Sequence, residues 1–319
     1  MPDDTPTPDN PTPPEPAREP SSTPPPVLAE IVEHKRGEVE ELKRRVSKAE
    51  LEAAVAQAEP PRNFFRAVTR RDAEGKPVAL HPAEGQQVEG NPHTAVIAEI
   101  KRQSPSAGLI REAYAGDGFD PARIARAYHA AGAAAISCLT DERYFGGHLS
   151  FIQRVKDACP LPVLRKDFIV DPVQLWEARA AGADAVLLIA ECLNEREIVD
   201  YMILAQQLQL TVLIEAHSAE HLLRVRPHVG FPHPTYCLLG INNRDLTTMT
   251  TEVNHTVRLV DLVDDPGVLV SESGIKTRAD LDRLSEHGVN IVLVGEHLMR
   301  QEDPGQALRT LLQGDAPTA

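Results

Sequence analysis

Cysteine is scarce in this chain of 319 residues: there are four, Cys138, Cys159, Cys192 and Cys237, far apart and without a C-x-x-C pair. Such spacing supports no disulfide framework, and each thiol sits in or near an apolar run, as reduced core cysteines of a cytoplasmic protein do. Basic residues are also few: 33 Lys and Arg against 47 Asp and Glu give a formal net charge of -14. That balance excludes a nucleic-acid groove, which rests on a basic surface, and means that any anionic ligand must be met by cations placed locally. No run approaches the ~20 apolar residues of a membrane span, and the N-terminus lacks the basic-then-apolar order of a secretion signal. The twelve histidines include no H-x-H or H-E-x-x-H, so no metal is expected. His217, His221 and His297 read as surface or strand-end residues. No G-x-G-x-x-G follows the first strand and no G-x-S-x-G occurs, which removes the dinucleotide and hydrolase readings.

What is present is an apolar fraction of 42%, ample for a full core. Residues 1–26, dominated by Pro, Thr, Asp, Glu and Ser, cannot bury enough apolar surface to offset chain ordering and are expected to form a disordered tail. From 27 to 319 a single domain is expected. Val27, Leu28, Ile31, Val32, Val39, Leu42 and Val46 recur at helical spacing and predict one amphipathic helix over 27–57. Pro60–Pro61 ends it, a short Phe64–Phe65 segment follows, and the Gly- and Pro-rich stretch 71–94 reads as a long loop. Eight short apolar runs then begin at Ala95, Ala134, Pro162, Ala185, Thr211, Cys237, Val268 and Ile291, each followed by a helical pattern. Eight continuous apolar strands alternating with helices predict an α/β chain closed as a (β/α)8 TIM barrel with an extra N-terminal helix. An open doubly wound sheet is the alternative.

In such a barrel the site lies at the C-terminal ends of the strands, and unusual polar residues gather there. Glu99 and Lys101 stand at i and i+2 and so share one strand face. Arg165-Lys166-Asp167, Glu215, Asn242-Asn243-Arg244, Ser271-Glu272-Ser273-Gly274 and Gly295-Glu296-His297 end other strands. Carboxylates and lysines enclosed together tune each other's pKa and suit acid and base roles. The loops at Ser273-Gly274 and Gly295-Glu296 have the small residues and free backbone N–H groups that hold a phosphate.

Taken together, these motifs resemble those of indole-3-glycerol-phosphate synthase. The resemblance is carried by Ile97-Ala98-Glu99-Ile100-Lys101 with Ser104-Pro105-Ser106, by Leu139 to Phe145, by Leu164 to Ile169, and by Leu213-Ile214-Glu215. It continues through Gly240 to Leu246, Ser271 to Ile275, and Val294-Gly295-Glu296. It implies a carboxy-lyase of tryptophan biosynthesis needing no cofactor. Its substrate would be a small phosphorylated molecule, 1-(2-carboxyphenylamino)-1-deoxyribulose 5-phosphate, closed to indole-3-glycerol phosphate with loss of carbon dioxide and water. By the resemblance, Lys166 is the general acid of ring closure and Glu215 the acid/base of dehydration. Lys101 serves the substrate's carboxylate or phosphate, Glu99 holds Lys101, Asn242 and Arg244 orient polar groups, and Glu272 completes the network. Phe145, Phe168 and Leu246 would form the slot for the anthranilate ring, Ser273, Gly274, Gly295 and Glu296 the phosphate loops, and Ser104 and Ser106 a mobile loop. Contact with other enzymes of the pathway is left open.

The long head, the 71–94 insertion, the extended loop around Phe231-Pro232-His233-Pro234 and Glu296-His297 depart from the family's pattern. Of these, Glu296 touches the site: a carboxylate pointing inward would repel a phosphate, one turned outward would not. Two rivals remain. A phosphoribosyl-anthranilate isomerase would not need both strand-end lysines, and a barrel that only binds a partner would tolerate loss of Lys166.

Overall fold

The computed structural model of the chain describes residues 25–70, 94–245 and 248–314. The tail expected at 1–26 and the loop expected at 71–94 therefore lie almost entirely outside the described residues. Among the described residues, the eight apolar runs form eight parallel strands, β1 (Ala95–Ile100), β2 (Ala135–Leu139), β3 (Val163–Lys166), β4 (Ala185–Ile189), β5 (Thr211–Ala216), β6 (Cys237–Asn242), β7 (Leu269–Glu272) and β8 (Ile291–Val294). Each pairs with its neighbour in sequence, and β1 pairs with β8 through Ala95↔Ile291 to Ala98↔Val294, which closes the barrel. Helices follow the strands, and Gly132 and Gly182 end two of them at φ of 91° and 87°, left-handed positions that a side chain would strain. No helix among the described residues is long and apolar enough to cross a membrane.

Strand alternation explains where the site comes from. Residues of one parity, such as Val96, Ile136, Val186, Ile214 and Val292, pack outward against the helices. Those of the other parity, including Ile97, Leu164, Leu187, Leu213, Leu238 and Leu293, fill the interior. Followed toward the C-terminal ends, the inward parity runs into Glu99, Lys166, Glu215, Asn242 and Glu272, so the alternation that builds the core also aims the polar groups into the mouth.

The N-terminal segment is not one helix over 27–57 but two, α1 (Pro26–Arg45) and α2 (Lys48–Gln57), separated at Val46–Ser47. Ser47 starts α2 with a capping box: Glu50 N–H donates to Ser47 Oγ at 3.3 Å, and Ser47 N–H donates to the Glu50 carboxylate at 2.8 Å. The S-x-x-E signal lies in the sequence, inside an apolar period that hides it. A short helix α3 (Phe64–Thr69) buries Phe64, Phe65 and Val68 against the barrel interior.

Helix α1 docks on the loops after β2 and β3 through a buried lysine. Lys35, only 4% exposed, reaches Asp141 at 2.9 Å and Asp167 at 3.0 Å. Asp167 also accepts from Arg165 at 3.1 Å and from Thr140 Oγ1 at 2.6 Å. Burial pushes the Asp167 carboxyl up, but Arg165 and Lys35 outweigh it and hold it at about 2. A carboxyl depressed below its unfolded value of about 3.9 adds stability that is present above that pH and lost as pH falls toward 2. Acid unfolding followed by circular dichroism is therefore expected to be steeper between pH 4 and 2 for the native chain than for Asp167→Asn.

Candidate active site

A cavity of about 620 Å³ opens at the C-terminal mouth, lined by Lys101, Lys166, Glu215, Asn242, Arg244 and Glu272 among others, with Val27, Leu28 and Ile31 of α1 on its rim. On one side, Lys101 Nζ pairs with Glu99 Oε1 at 2.6 Å. Deeper in, Lys166 Nζ meets Glu215 Oε2 at 2.7 Å and Glu272 Oε2 at 3.4 Å. Asn242 Nδ2 donates to Glu215 Oε1 at 3.1 Å. These groups come from β1, β3, β5, β6 and β7, and only barrel closure brings them together.

Charge is arranged unequally within the cluster. Burial opposes the Lys166 charge, but Glu215, Glu272 and Glu99 outweigh it and raise its pKa above the ordinary lysine value. Burial likewise pushes Glu215 up, but Lys166 and His217 hold it down at about 2. Glu272 goes the other way: burial and the neighbouring Glu215 carboxylate drive it well above the carboxylate range. The pair thus splits into one ionised and one protonated carboxyl beside a charged ammonium, a division that supports acid and base work in one place. Glu272 Oε1 is buried without a hydrogen-bond partner.

Two glycines make room for this. A Cβ on Gly240 would overlap Glu272 Oε1, and one on Gly295 would overlap Glu99 Oε1 and stand 2.9 Å from its Cβ. Gly295→Ala is expected to lower stability by about 1–3 kcal/mol through overpacking and to raise KM, because relief displaces Glu99 and with it Lys101. Urea melts and steady-state kinetics check the two effects.

Around the cluster, Phe145 and Phe168 line the cavity with ring centroids 6.0 Å apart. Ser104 and Ser106 lie on a small hairpin, Gln103–Ser104 against Gly108–Leu109, and Arg244 donates to Ser106 Oγ at 3.2 Å. Leu246 is outside the described residues. Ser273 and Gly274 both take left-handed φ, 67° and 83°. The non-glycine Ser273 is held there partly by Asn243, which donates to its carbonyl at 3.1 Å. Gly295 immediately precedes a short helix, Glu296–Met299. The Glu296 carboxylate turns to arginines, Arg244 at 3.2 Å and Arg300 at 2.8 Å.

His217 stands at a strand end, as expected, but it is not a surface residue. It continues the inward parity of β5 past Glu215, lines the cavity, and its Nε2 lies 3.4 Å from Glu215 Oε1. Behind it, Glu191 Oε2 stands 3.2 Å from His217 Nδ1. The i, i+2 spacing that singled out Glu99 and Lys101 also pairs Glu215 with His217, and it was the usable signal. The thiols show no such activation: the four cysteines are free, and burial pushes Cys138 and Cys237 up to about 12.

Fold and site together define a (β/α)8 barrel whose mouth holds an acid–base cluster suited to a small anionic ligand. The family profile "Indole-3-glycerol phosphate synthase" matches residues 83–311. The chain is 46% identical over 285 residues to an indole-3-glycerol phosphate synthase of Acidithiobacillus ferrooxidans, covering 89% of this chain and 98% of that protein. It is 43% identical over 286 residues to one of Rhodospirillum rubrum, covering 90% and 98%. A solved 3-hexulose-6-phosphate synthase superposes with a TM-score of 0.53 at 16% identity, over 70% of this chain and all (100%) of that one, a likeness of fold. The chain belongs to the indole-3-glycerol phosphate synthase family.

Proposed function

We infer that the protein closes 1-(2-carboxyphenylamino)-1-deoxyribulose 5-phosphate to indole-3-glycerol phosphate in tryptophan biosynthesis, releasing carbon dioxide and water. Family membership supports this reading. The observation that carries the chemistry is Lys166, kept charged between Glu215 and Glu272 on the cavity wall.

Lys166 gives a proton from Nζ to the ribulose carbonyl oxygen as the aromatic carbon attacks the carbonyl carbon. The carboxylate on that aromatic carbon then leaves as carbon dioxide, and its bonding electrons restore the ring. Lys101, aligned by Glu99, offsets the carboxylate or phosphate charge. Glu215 serves the dehydration as acid and base, with Glu272 and Asn242 completing its hydrogen bonds. Phe145 and Phe168 flank the anthranilate ring, and the hairpin bearing Ser104 and Ser106 closes on the ligand with Arg244. The backbone N–H groups of Ser273, Gly274, Gly295 and Glu296 take the phosphate, while Arg244 and Arg300 draw the Glu296 carboxylate away from it. The free thiols, three of the four buried, support a cytoplasmic location.

The test is to incubate the purified chain with the carboxyphenylamino-deoxyribulose phosphate and follow indole fluorescence without added metal. Indole-3-glycerol phosphate at catalytic turnover is expected. Bound substrate with no product would leave a barrel that only binds, and turnover of phosphoribosyl anthranilate instead would point to the isomerase.

A further inference from the structure

Ring closure with decarboxylation consumes a proton. The substrate's carboxylate leaves as neutral carbon dioxide, so the proton that Lys166 gives to the carbonyl oxygen, lost at the end in water, is not returned by the later steps. Dehydration itself is neutral in protons: one goes to the leaving hydroxyl and one comes from carbon. Lys166 must therefore be recharged in every cycle from a source outside the substrate. This step rests on the reading of Lys166 as the ring-closing acid.

We propose that His217, held by Glu191, is the proton store that recharges Lys166 through Glu215. The side chains form a continuous line. Lys166 Nζ lies 2.7 Å from Glu215 Oε2, Glu215 Oε1 lies 3.4 Å from His217 Nε2, and His217 Nδ1 lies 3.2 Å from Glu191 Oε2. Glu191 is itself buried and fixed, accepting from the His217 backbone N–H at 2.9 Å and standing 3.2 Å from His221 Nδ1. His217 Nε2 is buried and makes no hydrogen bond in the resting site. It is aimed at Glu215, the nearer of the two carboxylates that hold Lys166. Glu191 and Glu215 favour the imidazolium, while burial and Lys166 oppose it, and the balance raises the His217 pKa. His255 meets the His217 backbone carbonyl at 2.9 Å and fixes the residue from the other side.

The transfer balances. The imidazolium gives its Nε2 proton to Glu215 Oε1, the carboxyl group makes a half-turn, and the same proton passes to the neutral Nζ, which restores the ammonium and the carboxylate. It runs downhill, because an amine is more basic than imidazole by roughly 4 pH units in their ordinary values. The neutral ring, on the cavity wall, regains a proton from solvent once product leaves. Glu191 and His217 are thus positioning and proton-supply residues rather than groups that touch the substrate.

Stopped-flow fluorescence on the full chain separates this role from a structural one. With Glu191→Gln, the single-turnover rate with enzyme in excess is expected within about twofold of the native chain. Multiple-turnover kcat is expected to fall by about tenfold or more, with added imidazole restoring part of it in His217→Ala. In the native chain, deuterated solvent is expected to slow multiple turnover more than single turnover, a readout that needs no variant. Equal losses in single and multiple turnover, an unchanged kcat, or equal solvent isotope effects overturn the proposal. A native chain that forms no indole instead overturns the reading of the activity on which it rests.

Discussion

Lys166→Met is expected to lower kcat for indole-3-glycerol phosphate formation by ~10²- to 10⁴-fold, the range of one positioned acid, with a much smaller change in KM. The substitution keeps the apolar stem and removes only the ammonium that meets Glu215 at 2.7 Å and Glu272 at 3.4 Å. In the proposed ring closure, no other group on β3 would protonate the carbonyl oxygen, and Lys101, paired with Glu99 at 2.6 Å, is held by a different carboxylate. The loss of the cation also raises the proton affinity of Glu215, so the residual activity should shift its pH dependence upward on the side where Glu215 ionises. Steady-state kinetics across pH, with circular dichroism to establish that the variant folds, measure both. A kcat within threefold of the native chain would remove Lys166 from the chemistry.

The second large effect lies outside the cavity. Lys35→Met is expected to destabilise the chain by about 3–5 kcal/mol, because it strands buried carboxylates rather than merely deleting an ion pair. Asp141 and Asp167 are both almost fully buried, and Lys35 Nζ stands 2.9 and 3.0 Å from them. Burial opposes the Lys35 charge, but Asp167 and Asp141 outweigh it and raise its pKa. Since α1 carries Lys35 and also puts Val27, Leu28 and Ile31 on the cavity rim, KM should rise as well. Adding Asp167→Asn should recover part of the lost stability, the coupling expected of residues in contact. Denaturant titrations of the two single variants and the double variant give the cycle, and strict additivity would mean that Lys35 does not hold Asp167.

Much of this architecture is legible in local pattern. The eight strands fall inside the eight apolar runs, and Glu99 with Lys101 stand out because alternation within one strand already places them on one face. His217 carries the same signal beside Glu215 but reads as an ordinary strand-end histidine, because its partner Glu191 lies in the turn after a different strand. Lys35 is harder still. In sequence it is one of several lysines on a charged helix, and its burial depends on Asp141 and Asp167, which only barrel closure brings to it. The break at Ser47 was masked for the opposite reason: a strong helical period continues across it, while the capping box that restarts the helix is a four-residue signal. Local periodicity thus finds strands and faces, whereas buried charge depends on contacts between distant segments.

A crystal structure with indole-3-glycerol phosphate bound tests the central claim most directly, that opposed charges from separate strands enclose one small anion and act on it. Expected are the phosphate on the backbone N–H groups of Ser273, Gly274, Gly295 and Glu296, the indole between Phe145 and Phe168, and Lys166 Nζ facing the former carbonyl carbon of the ring, beside Glu215. Product bound with its indole remote from Lys166 and Glu215, or with its phosphate away from both loops, would contradict it.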